Sequence, residues 1–237
     1  MKIIDIKTTI VNAEMRNWVF VKVITDQDIY GWGEATVEWK TRAVVGAIED
    51  LKPLLIGKDP RNIKQNFQIL TKHGFWKLGV IGMSAVSGIE HALWDILGKS
   101  LNTPVWQLLG GKVREKIKIY THLGMGDMNA VYRDTMETNK LNDHALALVE
   151  KGYKAFKVVF IPFTHFTNTS QNLNKVNELM SSLRNTVGDD IDIMVDFHGR
   201  CASGISATQY IKELETYNPL FVEEPILPGD NKTLLQI

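Results

Sequence analysis

Two acidic side chains follow apolar runs in the second half of the chain. Asp196 comes directly after the run 193–195, and Glu223 comes directly after the run 220–222. Such runs are typical of parallel strands covered on both faces, and binding sites lie at the carboxyl ends of parallel strands. Because converging carboxylates repel unless a cation lies between them, the pair indicates a metal site, and oxygen ligands suit Mg²⁺. Alternatively, each carboxylate caps a loop or pairs with a nearby arginine.

Three basic side chains near this pair are further candidates for chemistry. His198, two positions beyond Asp196, could transfer protons as a general acid or base near neutral pH. It could equally be a metal ligand or a loop histidine bonded to backbone. Arg200 has the bidentate geometry that suits a substrate carboxylate, although arginine is also common on surfaces. Lys157 could project inward beside the metal, or its stem could cover apolar surface while its charge stays in solvent.

The elements that must position these residues fall into two groups. The first part of the chain predicts a small antiparallel sheet followed by helices, an α+β unit, with strands at 2–11, 18–25 and 29–34 and helices at about 40–55, 60–73 and 84–100. Beyond residue 115, apolar runs alternate with helical patterns, which indicates parallel strands in an α/β layer or barrel. Those strands are expected at 117–123, 155–161, 191–197 and 220–222. Paired glycines at 110–111 indicate two domains, 1–112 and 113–237.

Composition excludes several classes of protein. Apolar residues make up 44% of the chain and charged residues 23%, whereas a disordered chain has fewer apolar and more charged residues. The 27 basic and 27 acidic residues balance, which argues against binding to nucleic acid or to an anionic membrane. The single cysteine, Cys201, and the lack of a signal peptide or a long apolar span favour a soluble cytoplasmic protein. No glycine-rich phosphate loop of standard spacing occurs.

Four motifs, in this order along the chain, are shared with one known family. They are GWGEA at 31–35, GIEHALWDILGK at 88–99 continuing through PVWQLLGG at 104–111, VDFHGR at 195–200 and FVEEP at 221–225. Together they span nearly the whole chain. The chain therefore resembles the mandelate racemase/enolase superfamily and, most closely, its galactonate dehydratase branch.

The resemblance implies a fold, a cofactor and an activity. The fold is an α+β capping domain followed by a TIM-type (β/α) barrel, with Mg²⁺ held by carboxylates at the ends of three successive strands. Asp196 and Glu223 match the first two ligands, and the histidine that matches His198 protonates the departing 3-hydroxyl group. The activity is dehydration of an aldonic acid such as galactonate to a 2-keto-3-deoxy acid through an enediolate, which the cation stabilises. We also expect a homo-oligomer that binds this small sugar acid.

The resemblance also implies two loops of the capping domain that close over the substrate. They correspond to residues 12–18 and to the stretch around 73–79, in which Trp76 is either a substrate contact or an ordinary packing residue. The segment 160–167 is unusual for a galactonate dehydratase, and its His165 could line the site. The predicted substrate contacts are therefore Arg200, Lys157, Trp76 and His165.

Two departures from the family pattern matter. Val159 stands where racemases and cycloisomerases of the superfamily often carry a catalytic lysine, which favours a dehydratase over those alternatives. A complete barrel domain needs about 250 residues, but only about half of that number follow the predicted boundary. We therefore expect the N-terminal part of the full-length family pattern, inactive alone because it lacks the third carboxylate ligand and the general base. A truncated, non-catalytic remnant is the other alternative.

Overall fold

The computed structural model describes residues 1–123, 137–162, 164 and 166–237. These residues form two compact units, Met1–Glu115 and Lys116–Ile237. The division lies three residues beyond the boundary expected from the paired glycines.

The first unit is built on a three-stranded antiparallel sheet. Its strands are β1 (Ile3–Ala13), β2 (Arg16–Thr25) and β3 (Tyr30–Glu34), in that spatial order. Pairing of β1 with β2 continues out to Ala13 and Arg16, so only Glu14 and Met15 form the turn. The loop expected at 12–18 is therefore mostly strand. Glu14 has a φ of 58°, the left-handed conformation that two-residue hairpin turns require.

Helices follow this sheet in the chain and pack on its buried face or on one another. They are α1 (Thr41–Leu51), followed by the 3-10 turn Lys52–Leu54, then α2 (Ile63–Lys72), α3 (Gly79–Ser100) and the short α4 (Val105–Leu108). The prediction that the third helix begins near residue 84 is wrong, because α3 starts five residues earlier. Gly79 and Gly82 have low helix propensity and conceal that first turn in the sequence. Among the described residues, no helix is long and apolar enough to cross a membrane.

The contact between β3 and α3 depends on the absence of side chains. A Cβ atom on Gly33 would lie 1.9 Å from the carbonyl oxygen of Gly88, and a Cβ on Gly31 would lie 1.9 Å from that of Ala92. A Cβ on Gly88 would in turn lie 2.7 Å from the Cβ of Ala35. The motifs at 31–35 and 88–99 are thus the two sides of one close strand–helix contact.

Polar groups fix the register of the same contact. Asp95 accepts hydrogen bonds from the backbone N–H of Trp32 at 2.9 Å and from the ammonium group of Lys99 at 2.6 Å. Lys99 also donates to the carbonyl oxygen of Tyr30 at 2.8 Å. These bonds join α3 to successive residues of β3 and leave the strand no freedom to slide.

The second unit contains a parallel sheet. Its strands β4 (Thr121–Leu123), β5 (Ala155–Val158), β6 (Asp192–Asp196) and β7 (Val222–Glu223) lie side by side in chain order. Helices α5 (Thr138–Glu150), α6 (Ser170–Val187), α7 (Gly204–Glu215) and α8 (Asn231–Leu234) alternate with them. The expected alternation of strand and helix is confirmed, although each strand is shorter than its apolar run.

The two faces of the parallel sheet differ in chemistry. One face is apolar and packs into the core formed with α5, α6 and α7; it carries Leu123, Phe156, Val158, Ile193 and Val195. Because alternate strand residues point to opposite faces, Lys157, Met194 and Asp196 project from the other face. All three are buried. The second face therefore carries buried charge.

The β3–α3 contact gives a stability prediction. Replacing Gly33 by alanine places a methyl group against the Gly88 carbonyl oxygen, so we expect a loss of about 3 kcal/mol or more in the free energy of unfolding. The measurement is urea denaturation followed by tryptophan fluorescence.

The matched control is Gly46→Ala within α1. No atom lies within 4 Å of a Cβ at that position, and alanine favours helix over glycine, so stability should change by less than about 1 kcal/mol and should rise. Equal unfolding midpoints for the two variants would contradict the close contact.

Candidate functional site

Two strand-end carboxylates converge on one ammonium group. The parallel register places Asp196 of β6 beside Glu223 of β7. The Lys157 Nζ atom lies 3.0 Å from Asp196 Oδ2 and 2.8 Å from Glu223 Oε1. The structure thus brings together the two carboxylates that the sequence analysis paired, and a lysine rather than separate arginines lies between them.

Lys157 is buried and charged. Its side chain is only 8% exposed, so the alternative that its charge stays in solvent is contradicted. Burial acts to lower the pKa of Lys157, but the hydrogen bonds to Glu223 and Asp196 outweigh it and raise the pKa above its ordinary value. A raised pKa in the folded state means that this group stabilises the fold at neutral pH. That contribution is lost only as the pH rises through the folded-state pKa.

His198 is held in a tight turn after β6. The two central residues of the turn, His198 and Gly199, have φ values of 53° and 62°, as in type I′ turns. Asp196 Oδ1 accepts the His198 backbone N–H at 2.7 Å. The imidazole Nδ1 lies 3.6 Å from Asp196 Oδ2 and 3.7 Å from Glu224 Oε2, and the side chain is 44% exposed. The ring therefore stands at the rim of the buried charges, accessible to a bound molecule.

The second glutamate of the Glu-Glu-Pro motif also faces the site, which the sequence analysis missed. Possible ligand atoms of Asp196, His198 and Glu224 lie within 4.8 Å of one another. Consecutive strand residues ordinarily point to opposite faces, so Glu223 alone was expected there. However, Glu224 has a φ of 45°, which turns its side chain back toward His198. No sequence signal marks this reversal, since a residue before proline ordinarily adopts an extended conformation.

The donor set suits a divalent cation. Carboxylate oxygens from two strand ends already surround one positive charge, the Lys157 ammonium. Mg²⁺ is commonly bound through one or two carboxylates while it keeps several water ligands. Asp196 and Glu223 fit that requirement, with Glu224 and His198 beside them.

Arg200 connects two loops. Its guanidinium is buried, and Nη1 donates to the carbonyl oxygen of Ile161 at 2.6 Å. Its own carbonyl oxygen accepts the Thr164 backbone N–H at 3.2 Å. These contacts join the loop after β6 to the loop after β5. A role for Arg200 in binding substrate stays a prediction.

His122 is a further site residue that the sequence analysis missed. It lies on β4, in register with Lys157 of β5. Burial lowers the pKa of His122 below its ordinary value, and the positive charge of Lys157 acts in the same direction. The expected strand at 117–123 gave no reason to single it out. A histidine one residue before the end of the predicted strand was the available signal.

Trp76 and His165 are the remaining predicted substrate contacts. Trp76 lies between α2 and α3 in the first unit and is 84% exposed, with its ring 5.2 Å from that of Phe75. It is therefore not an ordinary packing residue within that unit, and its contact with substrate stays a prediction. His165 lies outside the described residues.

Comparison with known families decides where the chain belongs. Residues 2–110 match the mandelate racemase/muconate lactonizing enzyme N-terminal domain, and residues 140–237 match the enolase C-terminal domain-like family. The chain belongs to the enolase superfamily. This enolase-superfamily chain is 42% identical over 210 residues to the D-galactonate dehydratase of Klebsiella pneumoniae (strain 342). The alignment covers 89% of the chain but 52% of that relative, so the chain spans about half the relative's length.

Solved structures of the superfamily agree with this assignment. An enolase from Pantoea ananatis with bound D-gluconate and Mg is 29% identical, with a TM-score of 0.84 over 99% of this chain and 62% of that one. An enolase-superfamily member from Salmonella Typhimurium is 30% identical, with a TM-score of 0.90 over 99% of this chain and 64% of that one. The predicted superfamily, its galactonate dehydratase-like branch and the α+β plus partial-barrel fold class are confirmed.

The buried charge cluster gives a second stability prediction. Asp196→Asn removes one of the two carboxylates that balance Lys157, so we expect a loss of about 2–3 kcal/mol. Glu223 still pairs with the lysine and limits the loss. Chemical denaturation at neutral pH measures the change.

The control is Asp192→Asn, at the other end of the same strand. Asp192 pairs with Lys118, whose side chain is 62% exposed, and exposed pairs contribute at most about 1 kcal/mol. Equal losses in the free energy of unfolding for the two variants would show that the buried Asp196 contributes no more to stability than the exposed pair does.

Proposed function

We propose that these 237 residues supply the capping domain and the first barrel strands of a Mg²⁺-dependent sugar-acid dehydratase, a hydro-lyase that converts an aldonic acid to a 2-keto-3-deoxy acid. The observation that supports this most directly is the convergence of Asp196 and Glu223 on the buried ammonium group of Lys157. His198 lies at the rim of this cluster. The relatives point to the same substrate class, because one is named for D-galactonate and another was crystallised with D-gluconate.

Two residues of this chain would hold the cation, and one would move a proton. Asp196 and Glu223 would bind Mg²⁺, which, when present, draws negative charge from the substrate carboxylate and makes the neighbouring α-proton more acidic. Once a general base from outside these residues has taken the α-proton, His198 would donate a proton to the β-hydroxyl group as its carbon–oxygen bond breaks, so that the hydroxyl leaves as water. The resulting enol then tautomerises to the 2-keto acid. Asp196 and Glu224, which face Nδ1, would keep the ring oriented for this transfer.

The remaining predicted contacts belong to substrate binding. Lys157, as a buried cation, would attract the substrate carboxylate, and Arg200 would hold the loop after β5 in place. Trp76 and His165 would contact the sugar chain. We further propose that the protein works as a homo-oligomer.

The third carboxylate ligand and the general base belong to chain outside these residues. Residues 225–237 cannot supply both, since Asp230 is their only acidic side chain and they contain no histidine. The relatives carry a further stretch beyond the matched length, because 48% of the D-galactonate dehydratase lies outside the alignment.

The first test of this function compares the 237 residues with a longer chain. We expect no 2-keto acid from D-galactonate or D-gluconate with Mg²⁺ when the 237 residues are assayed alone, measured as the semicarbazone. Expression of the whole reading frame that includes the codon for Ile237 should restore turnover. A stop codon directly after Ile237, or turnover by the 237 residues alone, would contradict the proposal.

The second test concerns His198 in the active, longer chain. His198→Asn should lower dehydration by about 10²–10⁴-fold, the contribution of a positioned general acid, while the α-proton still exchanges with solvent deuterium. Proton NMR in D₂O follows both events. His91→Asn, an exposed histidine of α3, is the matched control and should leave both rates unchanged. Exchange without loss of water in the unmodified protein would instead indicate a racemase or cycloisomerase.

A further inference from the structure

The second unit contains a buried charge cluster that is already balanced by the protein itself. Lys157 and Asp196 are both buried, and their side chains are 8% and 4% exposed. Glu223, at 32% exposure, completes the cluster from the solvent side. Among the described residues, Lys157 is the only buried lysine. A buried lysine needs partners of opposite charge, and these two carboxylates supply them.

The two carboxylates that bind this lysine are the two carboxylates that the proposed function assigns to the metal. Nζ lies within hydrogen-bond distance of Asp196 Oδ2 and Glu223 Oε1. An ammonium group and a divalent cation carry like charge and repel each other, so the binding of one to these carboxylates weakens the binding of the other. Without either of them, the two carboxylates would repel each other in a poorly solvated place.

We propose that Lys157 is the counter-ion of the metal-free centre. Its ammonium group holds Asp196 and Glu223 in their converged positions, and it releases at least one of these oxygens when a divalent cation binds. The inference rests on the metal site of the proposed function. It adds that the lysine lowers the affinity of the site for the metal and, in return, keeps both ligands in position before the metal binds.

Three features of the fold support such an exchange. Lys157 lies on β5, whereas its two partners lie on β6 and β7, so the ammonium can move without moving either carboxylate backbone. The backbone N–H of His198 holds the other oxygen of Asp196, Oδ1, at 2.7 Å, which keeps the carboxylate oriented when the lysine leaves. Glu224 and His198 lie on the solvent side, where a hydrated cation can enter.

The test replaces the lysine and measures metal binding in the longer, active chain, because the proposed function places the third carboxylate ligand outside the 237 residues. Lys157→Met should bind Mn²⁺, followed by electron paramagnetic resonance, at least about tenfold more tightly than the unmodified chain, a change of about 1.4 kcal/mol. In EDTA its melting temperature should fall, and saturating Mg²⁺ should raise it by more than it raises that of the unmodified chain. The matched control is Lys154→Met, which removes an exposed charge three residues earlier and should change neither quantity.

Two further variants separate charge from packing. Lys157→Arg keeps the positive charge and should keep the weak metal affinity. The double variant Lys157→Met with Glu223→Gln removes the excess negative charge, so it should recover the melting temperature in EDTA and lose the gain in affinity. Should Lys157→Met alone fail to fold, a folded double variant supports the counter-ion role and an unfolded one overturns it.

The outcomes distinguish this inference from the function on which it rests. Equal metal affinity and equal metal-induced stabilisation in the unmodified chain and in Lys157→Met would overturn the counter-ion role and leave the metal site intact. Absence of Mn²⁺ binding in both chains would overturn the metal site together with the inference. Loss of Mn²⁺ binding in Asp196→Asn is expected, and its retention would show that the metal lies elsewhere and would overturn both.

Discussion

The pairing of one buried ammonium with two carboxylates is the interaction on which the second unit depends. Charged groups out of water are costly unless they are paired and hydrogen-bonded, so Lys157, Asp196 and Glu223 must be held in register by three adjacent strands. The apolar face of the same strands supplies that rigidity through its packing against helices. The charged face and the apolar face therefore constrain each other: slippage of one strand by a single residue would expose the core and unpair the charges.

The first unit shows that a family motif need not carry chemistry. The glycines at 31, 33 and 88 allow a strand and a helix to approach until backbone touches backbone. Asp95 then satisfies a strand N–H that the sheet leaves free. Two of the four motifs that identify the superfamily are thus packing motifs, and the other two contain the candidate site. Both kinds are specific because each requires particular atoms at particular distances.

The positions of residues directly after predicted strands were sufficient to predict, from the sequence, that two carboxylates converge. Asp196 and Glu223 were found because each follows an apolar run, and parallel strands bring such positions to one edge of the sheet. Glu224 was missed because its orientation depends on a single backbone angle. His122 was missed because it lies inside the predicted strand 117–123 and does not follow it, whereas the search was for polar residues that follow strands. The start of α3 was missed because its first turn is rich in glycine. Regular periodicity was predictable, whereas local exceptions to it were not.

The left-handed conformation of Glu224 has a consequence for anyone who engineers this chain. A side chain in that region of φ/ψ space costs about 1–3 kcal/mol, and glycine would adopt it without strain. A search for heat-resistant variants would therefore tend to select glycine at this position, and with it would discard a carboxylate that faces His198. At this position stability favours glycine, whereas the proposed activity favours glutamate. Natural sequences commonly keep a strained residue where it serves function.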